Sequence, residues 1–102
     1  MGYIVRGLKM FHKAVAVAGT AEPLVASTKY VWKVKIKALA ANAGVVYLGD
    51  SSVSSADGYE LAAGEEIDIL ELTKRPEEIF DLAEVYVDAA NNGDAVAVIY
   101  AD

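Results

Sequence analysis

One histidine, His12, and no cysteine bound the chemistry open to this chain of 102 residues. Without a thiol there is no thiolate nucleophile, no zinc-thiolate site, no redox sensor and no disulfide framework. His12 has no serine or acid near it in sequence, and no nucleophile-elbow pattern accompanies it, so it reads as a surface or rim histidine rather than a catalytic base. The acidic pairs Glu65-Glu66 and Glu77-Glu78 contain the groups a glycoside hydrolase needs. Neighbours on an extended strand point to opposite faces, however, and cannot flank one bond. No glycine-rich phosphate cradle is present. The chain is expected to have no enzymatic activity and no cofactor, and to work by binding or by assembly.

Three features could carry binding. The first is the polar stretch Asp50 to Glu60, which offers Asp50, Asp57 and Glu60 as hard oxygen ligands with Tyr59 beside them. Calcium is the natural cation for such a set, but the spacing departs from the every-second-position pattern of an EF-hand loop, and a long polar loop is the simpler reading. The second is Lys33, Lys35 and Lys37, a basic stripe with ~6–7 Å between successive lysines if the segment is a strand. Such a stripe could meet partner carboxylates, or simply solvate an outer face and blunt unwanted strand pairing. The third is the aromatic set Trp32, Tyr47, Tyr59, Tyr86 and Tyr100, which could form a sugar platform but is expected to serve mostly as core and rim.

Charge is distributed unevenly along the chain. Residues 1–37 hold seven Lys or Arg and one acid, a net of +6, whereas the remainder holds two basic residues and fourteen acids, a net of -12. Opposite fields of this kind suit self-assembly or internal pairing. The overall charge of -6 disfavours nucleic-acid phosphates. No apolar run approaches the roughly 20 residues of a membrane-spanning helix, and Met1 to Lys9 lacks the apolar region of a signal peptide.

The elements that must position these residues are short strands. In Lys29 to Ala38 the residues Tyr30, Trp32, Val34, Ile36 and Ala38 alternate with Lys33, Lys35 and Lys37, which predicts a strand with the first set buried. The same period predicts strands over Ala14–Ala18 and Ala95–Tyr100, with Val on one side and mostly Ala on the other. Ala is a poor strand former, so its recurrence points to close packing by a second layer or by a neighbouring subunit. Val45–Gly49, Ile67–Leu70 and Leu82–Asp88 are further strands, and Asn91-Asn92-Gly93-Asp94 is a turn joining the last two strands as a hairpin. Thr73 to Asp81, with Pro76 in a first turn, is a helical candidate of about two turns. Residues 1–9 are expected to form an arm or an edge strand, and residues 10–102 one all-β domain, an antiparallel sandwich or jelly-roll-like barrel.

The order of the pieces Val45-Val46-Tyr47-Leu48-Gly49, Val53-Ser54-Ser55, Gly58-Tyr59 and Gly64-Glu65, closing with Asp81 to Asp88 and Asn92-Gly93-Asp94, resembles small structural proteins of tailed bacteriophages. The likeness spans roughly residues 30–100 and is strongest to capsid decoration, or cement, proteins. It implies a virion protein on the outer capsid surface, with the major capsid protein and further copies of itself, as dimer or trimer, as partners, and no direct nucleic acid or membrane. A tail or fibre module that binds host-surface carbohydrate is the alternative. On this reading the interface candidates are Tyr3, Ile4, Arg6 and Lys9 in the first segment, Lys33, Lys35 and Lys37 on the stripe, and Asp50, Asp57 and Tyr59 in the loop.

Overall fold

Lys33 to Ala38 shows the clearest alternation in the chain and folds as that alternation dictates, with Val34, Ile36 and Ala38 buried and the three lysines exposed. This strand lies in a computed structural model that describes residues 8–31, 33–69 and 80–101. In chain order the strands are β1 (Leu8–Ala14), β2 (Glu22–Pro23), β3 (Tyr30–Val31), β4 (Lys33–Ala38), β5 (Val46–Gly49), β6 (Tyr59–Leu61), β7 (Glu66–Asp68), β8 (Phe80–Asp81), β9 (Tyr86–Ala89) and β10 (Ala95–Ala101). Among the described residues one 3-10 turn forms, Leu82–Glu84, which precedes β9 and is capped by the Asp81 carboxylate, which accepts from the Ala83 N–H.

Two four-stranded sheets form, ordered β1-β10-β4-β7 and β2-β9-β5-β6, with a small β3-β8 ribbon beside them. Every pairing is antiparallel. Counting only the eight strands of the two large sheets, the orders become 1-8-3-6 and 2-7-4-5, the double Greek key of a jelly roll. The sheets close on one core built from both inner faces, including Val34, Ile36, Val46, Leu48, Val87 and Val98. Burial of these side chains is the main favourable term in holding the layers together, at about 1.5–3 kcal/mol each.

Four expectations are corrected. The first strand runs over Leu8–Ala14 and not Ala14–Ala18: Val15 is still buried and bonded to the β10 side, but Val17 is exposed where the chain turns away. Tyr30 is exposed, not buried, because Val31 is the buried residue of β3 and the phase shifts by one before Val34. The alternation in Leu82–Asp88 is strand only from Tyr86, since the 3-10 turn takes the first three residues. The last two strands are not a hairpin, because β9 pairs with β2 and β5 while β10 pairs with β1 and β4. The helical candidate over Thr73 to Asp81 lies outside the described residues except for Phe80 and Asp81, which are strand.

The crossing from β9 to β10 is secured by polar side chains. Asp94 is 6 % exposed, and its two carboxylate oxygens accept from the Ala43 and Gly44 N–H groups, each at 2.9 Å. The Asn42 side chain donates to the Ala95 carbonyl at 2.8 Å and accepts from the Ala95 N–H at 2.9 Å, imitating a strand neighbour. On the other side the Val15 N–H donates to the Asp94 carbonyl and the Gly93 N–H to the Val15 carbonyl. Gly93 has a φ of 87°, where a side chain would be strained. Asp88, 2 % exposed, accepts from the Gly19 and Ala89 N–H groups and ties down the loop after β1.

Asp94→Ala should therefore cost about 2–4 kcal/mol, because it strands two N–H groups beside a buried strand end. Urea unfolding should show a lower midpoint with an unchanged slope, whereas Asp57→Ala in the exposed loop should stay within about 0.5 kcal/mol of the parent.

Candidate functional site

The outer face of the β1-β10-β4-β7 sheet is set by register. Met10 lies opposite Ile99, Ile99 opposite Lys35, and Lys35 opposite Asp68. One step along, His12, Ala97, Lys37 and Glu66 form a second row, and on the other side Leu8, Ala101 and Lys33 begin a third. Side chains at these positions share the face, so the sheet carries three parallel bands across its width: apolar on β1 and β10, basic on β4, acidic on β7.

The apolar band is open to solvent. Met10 is 81 % exposed, Leu8 73 % and Ile99 39 %. A shallow depression of about 500 Å³ runs along the join between the bands, lined among others by Met10, His12, Ile99, Lys35 and Glu66. The small residues Ala97 and Ala101 keep the floor low between the larger side chains. The Ala-rich side of β10 is thus not covered by the second sheet, which packs against Val96, Val98 and Tyr100 on the other side.

Charge on this face is partly matched within the molecule. Lys35 Nζ lies 3.0 Å from Glu66 Oε2, an exposed pair. Elsewhere Lys13 Nζ donates to Glu22 Oε1 at 2.9 Å, and the Ala16 N–H to Glu22 Oε2 at 3.2 Å. The bond from Lys13, and then that from Ala16, lowers the Glu22 carboxyl below its usual range. Asp81 is lowered by the Lys29 and Ala83 N–H groups, and Asp50 by the Ser52 hydroxyl and N–H.

Of the sequence-derived interface candidates, Tyr3, Ile4 and Arg6 lie outside the described residues. Lys9 is exposed on β1, on the side opposite to Met10. Lys33, Lys35 and Lys37 fall together on the outer face as the basic band. Asp50 and Asp57 lie on the β5–β6 connection and Tyr59 begins β6, in the other sheet from the lysines.

That connection is well anchored. Val53 is buried and its N–H donates to the Asp50 carbonyl, Asp50 Oδ1 accepts from Ser52 Oγ at 2.6 Å, and the Asp57 N–H donates to the Ser54 carbonyl. A Cβ on Gly58 would come within 2.8 Å of the Ser54 carbonyl, Tyr47 and Val53, so only glycine fits there. Among the described residues no three His, Asp or Glu converge to hold a metal ion. Tyr59 borders an apolar mouth of about 290 Å³ with Leu48, Ile67, Ile69 and Val85, where its hydroxyl is the one polar side-chain group of the described lining.

Sequence reasoning missed the exposed apolar residues Leu8, Met10 and Ile99. The available signal was the alternation of Leu8, Met10 and His12 with Lys9, Phe11 and Lys13, but both sets mix apolar and polar residues, so it does not say which faces inward. Among the described residues no helix is long and apolar enough to cross a membrane. No protein-family model matches this chain, and neither a curated protein nor a solved structure does.

The lowered carboxyls fix the direction of the pH response. A carboxyl depressed in the folded state contributes stability above its unfolded value, and that contribution is lost as pH falls through the folded value. Thermal midpoints should therefore fall as pH drops below about 4, and Glu22→Gln should flatten part of that slope while leaving the midpoint near neutral pH only slightly lower.

Proposed function

We propose that this protein is a structural component of a tailed-phage particle, a capsid decoration protein that binds across capsomer boundaries through the outer face of β1-β10-β4-β7. The observation that carries this reading is the exposed band of Leu8, Met10 and Ile99 set against rows of lysine and acid. An apolar strip rimmed by charges of both signs is what a protein interface needs: desolvated contact in the middle, orientation and rejection of wrong partners at the rim. The phage context comes from the sequence resemblance, and the face supplies a physical means for the role. The rigid sandwich suits the task too, since a clamp transmits force only if its body does not deform.

A second reading has one observation in its favour. Tyr59 is more than half exposed beside Asp57 and Glu60, as a host-carbohydrate module of a tail or fibre would require. The apolar mouth beside Tyr59 offers few groups to hydrogen-bond a sugar, and the decoration role is the better supported of the two.

Co-sedimentation with capsids lacking the protein tests the proposal. Saturable capture is expected, weakened about tenfold or more, equivalent to ~1.4 kcal/mol, by Ile99→Glu or by Lys37→Glu, with unfolding midpoints close to the parent. Failure of the parent protein to bind such capsids, joined to a response on a glycan array that Tyr59→Ala abolishes, would establish the carbohydrate reading instead.

A further inference from the structure

The four edges of the two sheets are not alike. β2 has two residues and contains Pro23, β6 has three including Glu60, and β7 has three including Glu66 and Asp68. Short length, proline and charge are the usual protections of a strand edge. β1 has seven residues in uninterrupted register with β10 and contains neither proline nor glycine; of its two lysines, Lys13 is held by Glu22, which leaves Lys9 as the charge guarding this edge.

Backbone directions along β1 follow from its end. Val15 bonds through both its N–H and its C=O to Asp94 and Gly93, so the odd-numbered residues of β1 face β10. The opposite side of β10 agrees, since the Leu39 N–H donates to the Ala95 carbonyl and thereby turns the odd-numbered residues of β10 toward β4. The N–H and C=O groups of Leu8, Met10, His12 and Ala14 therefore point away from the sheet, and among the described residues no strand pairs with them.

We infer that a second copy of this chain pairs with that edge, β1 to β1 and antiparallel about a two-fold axis at Phe11, joining two four-stranded sheets into one of eight. This register pairs all seven residues of the strand: Leu8 opposite Ala14, Met10 opposite His12, and Phe11 opposite its own counterpart. On the outer face of the seam each Met10 then stands opposite the other copy's His12 and diagonal to its Met10, with Ile99 beside it on the β10 side, and each Leu8 stands opposite an Ala14. Lys9 comes opposite Lys13, which would repel were Lys13 not already held 2.9 Å from a Glu22 carboxylate oxygen. Each of the two Lys9–Lys13 pairs thus brings its own Glu22 carboxylate, held by Lys13, so that self-pairing supplies the acid that offsets its lysines. An isologous pairing also closes at two copies and does not propagate into a fibre.

The pairing stands independently of capsid binding, and its test uses no capsid. Sedimentation velocity of the full chain, with amide hydrogen exchange resolved by residue at two concentrations, reads it directly. A dimer is expected whose Met10 and His12 amides exchange at least about tenfold more slowly at the higher concentration, while Phe11 and Lys13 amides, bonded to β10, do not change. His12→Pro removes one outward N–H and no bond to β10, and should give a folded monomer. Met10→Lys leaves the backbone intact, places charge at the seam, and should also give a monomer. A parent protein that stays monomeric, a dimer whose Met10 and His12 amides exchange as in the monomer, or undiminished dimerisation of both variants would overturn the inference.

Discussion

The chain leaves one sheet at Ala89 and enters the other at Ala95, and the rest of the structure depends on that crossing. Asp94 makes it possible. Its carboxylate is withdrawn from water, which is costly unless the charge meets donors aimed at it, and the Ala43 and Gly44 N–H groups meet that need. Asn42 completes the end of β10 by standing in for a missing strand. Three loops, after β1, after β4 and after β9, are thereby bound into one end of the sandwich. Among the described residues no buried side-chain polar atom is left without a partner.

With the crossing fixed, β10 must lie between β1 and β4, and the composition of the outer face follows. Three strands distant in sequence are laid side by side with their alternations in step, so β1 contributes Leu8 and Met10, β10 Ile99 and alanines, and β4 its lysines. β7 then places Glu66 and Asp68 beside the lysines. Three lysines of the basic first third and two acids of the remainder thus become adjacent rows on one surface, close enough for Lys35 and Glu66 to pair. Part of the charge asymmetry of the linear chain is matched within the domain, in the Lys35–Glu66 and Lys13–Glu22 pairs. What stays unmatched is the apolar strip, which is the part of this face that gains most from a partner.

Legibility in the sequence followed how local the determining interaction was. The all-β class and the two faces of β4 were legible because alternation over Lys33 to Ala38 is a local property. The hairpin expectation failed because a turn of Asn, Gly and Asp serves a hairpin and a sheet-to-sheet crossing equally well, and only the pairing of Asp94 with residues 50 positions away decides between them. Tyr30 was misassigned for a related reason: alternation was extended through a phase shift that no residue type announces. The first strand was placed too late because the small residues of Ala14–Ala18 imitate the strand period while the mixed pattern of Leu8–Ala14 conceals it. The lysines and the Asp50–Tyr59 loop were recognisable as candidates, yet their separation onto different sheets depends on the full topology.

Cross-strand proton contacts measured by solution NMR read the strand order, on which both the face and its bands depend. A continuous row from Met10 through Ile99 and Lys35 to Asp68 is the predicted result, with β9 contacting β5 and not β10. A ladder of contacts between β9 and β10, such as Val87 with Val96, would make the last two strands a hairpin and overturn the jelly-roll order.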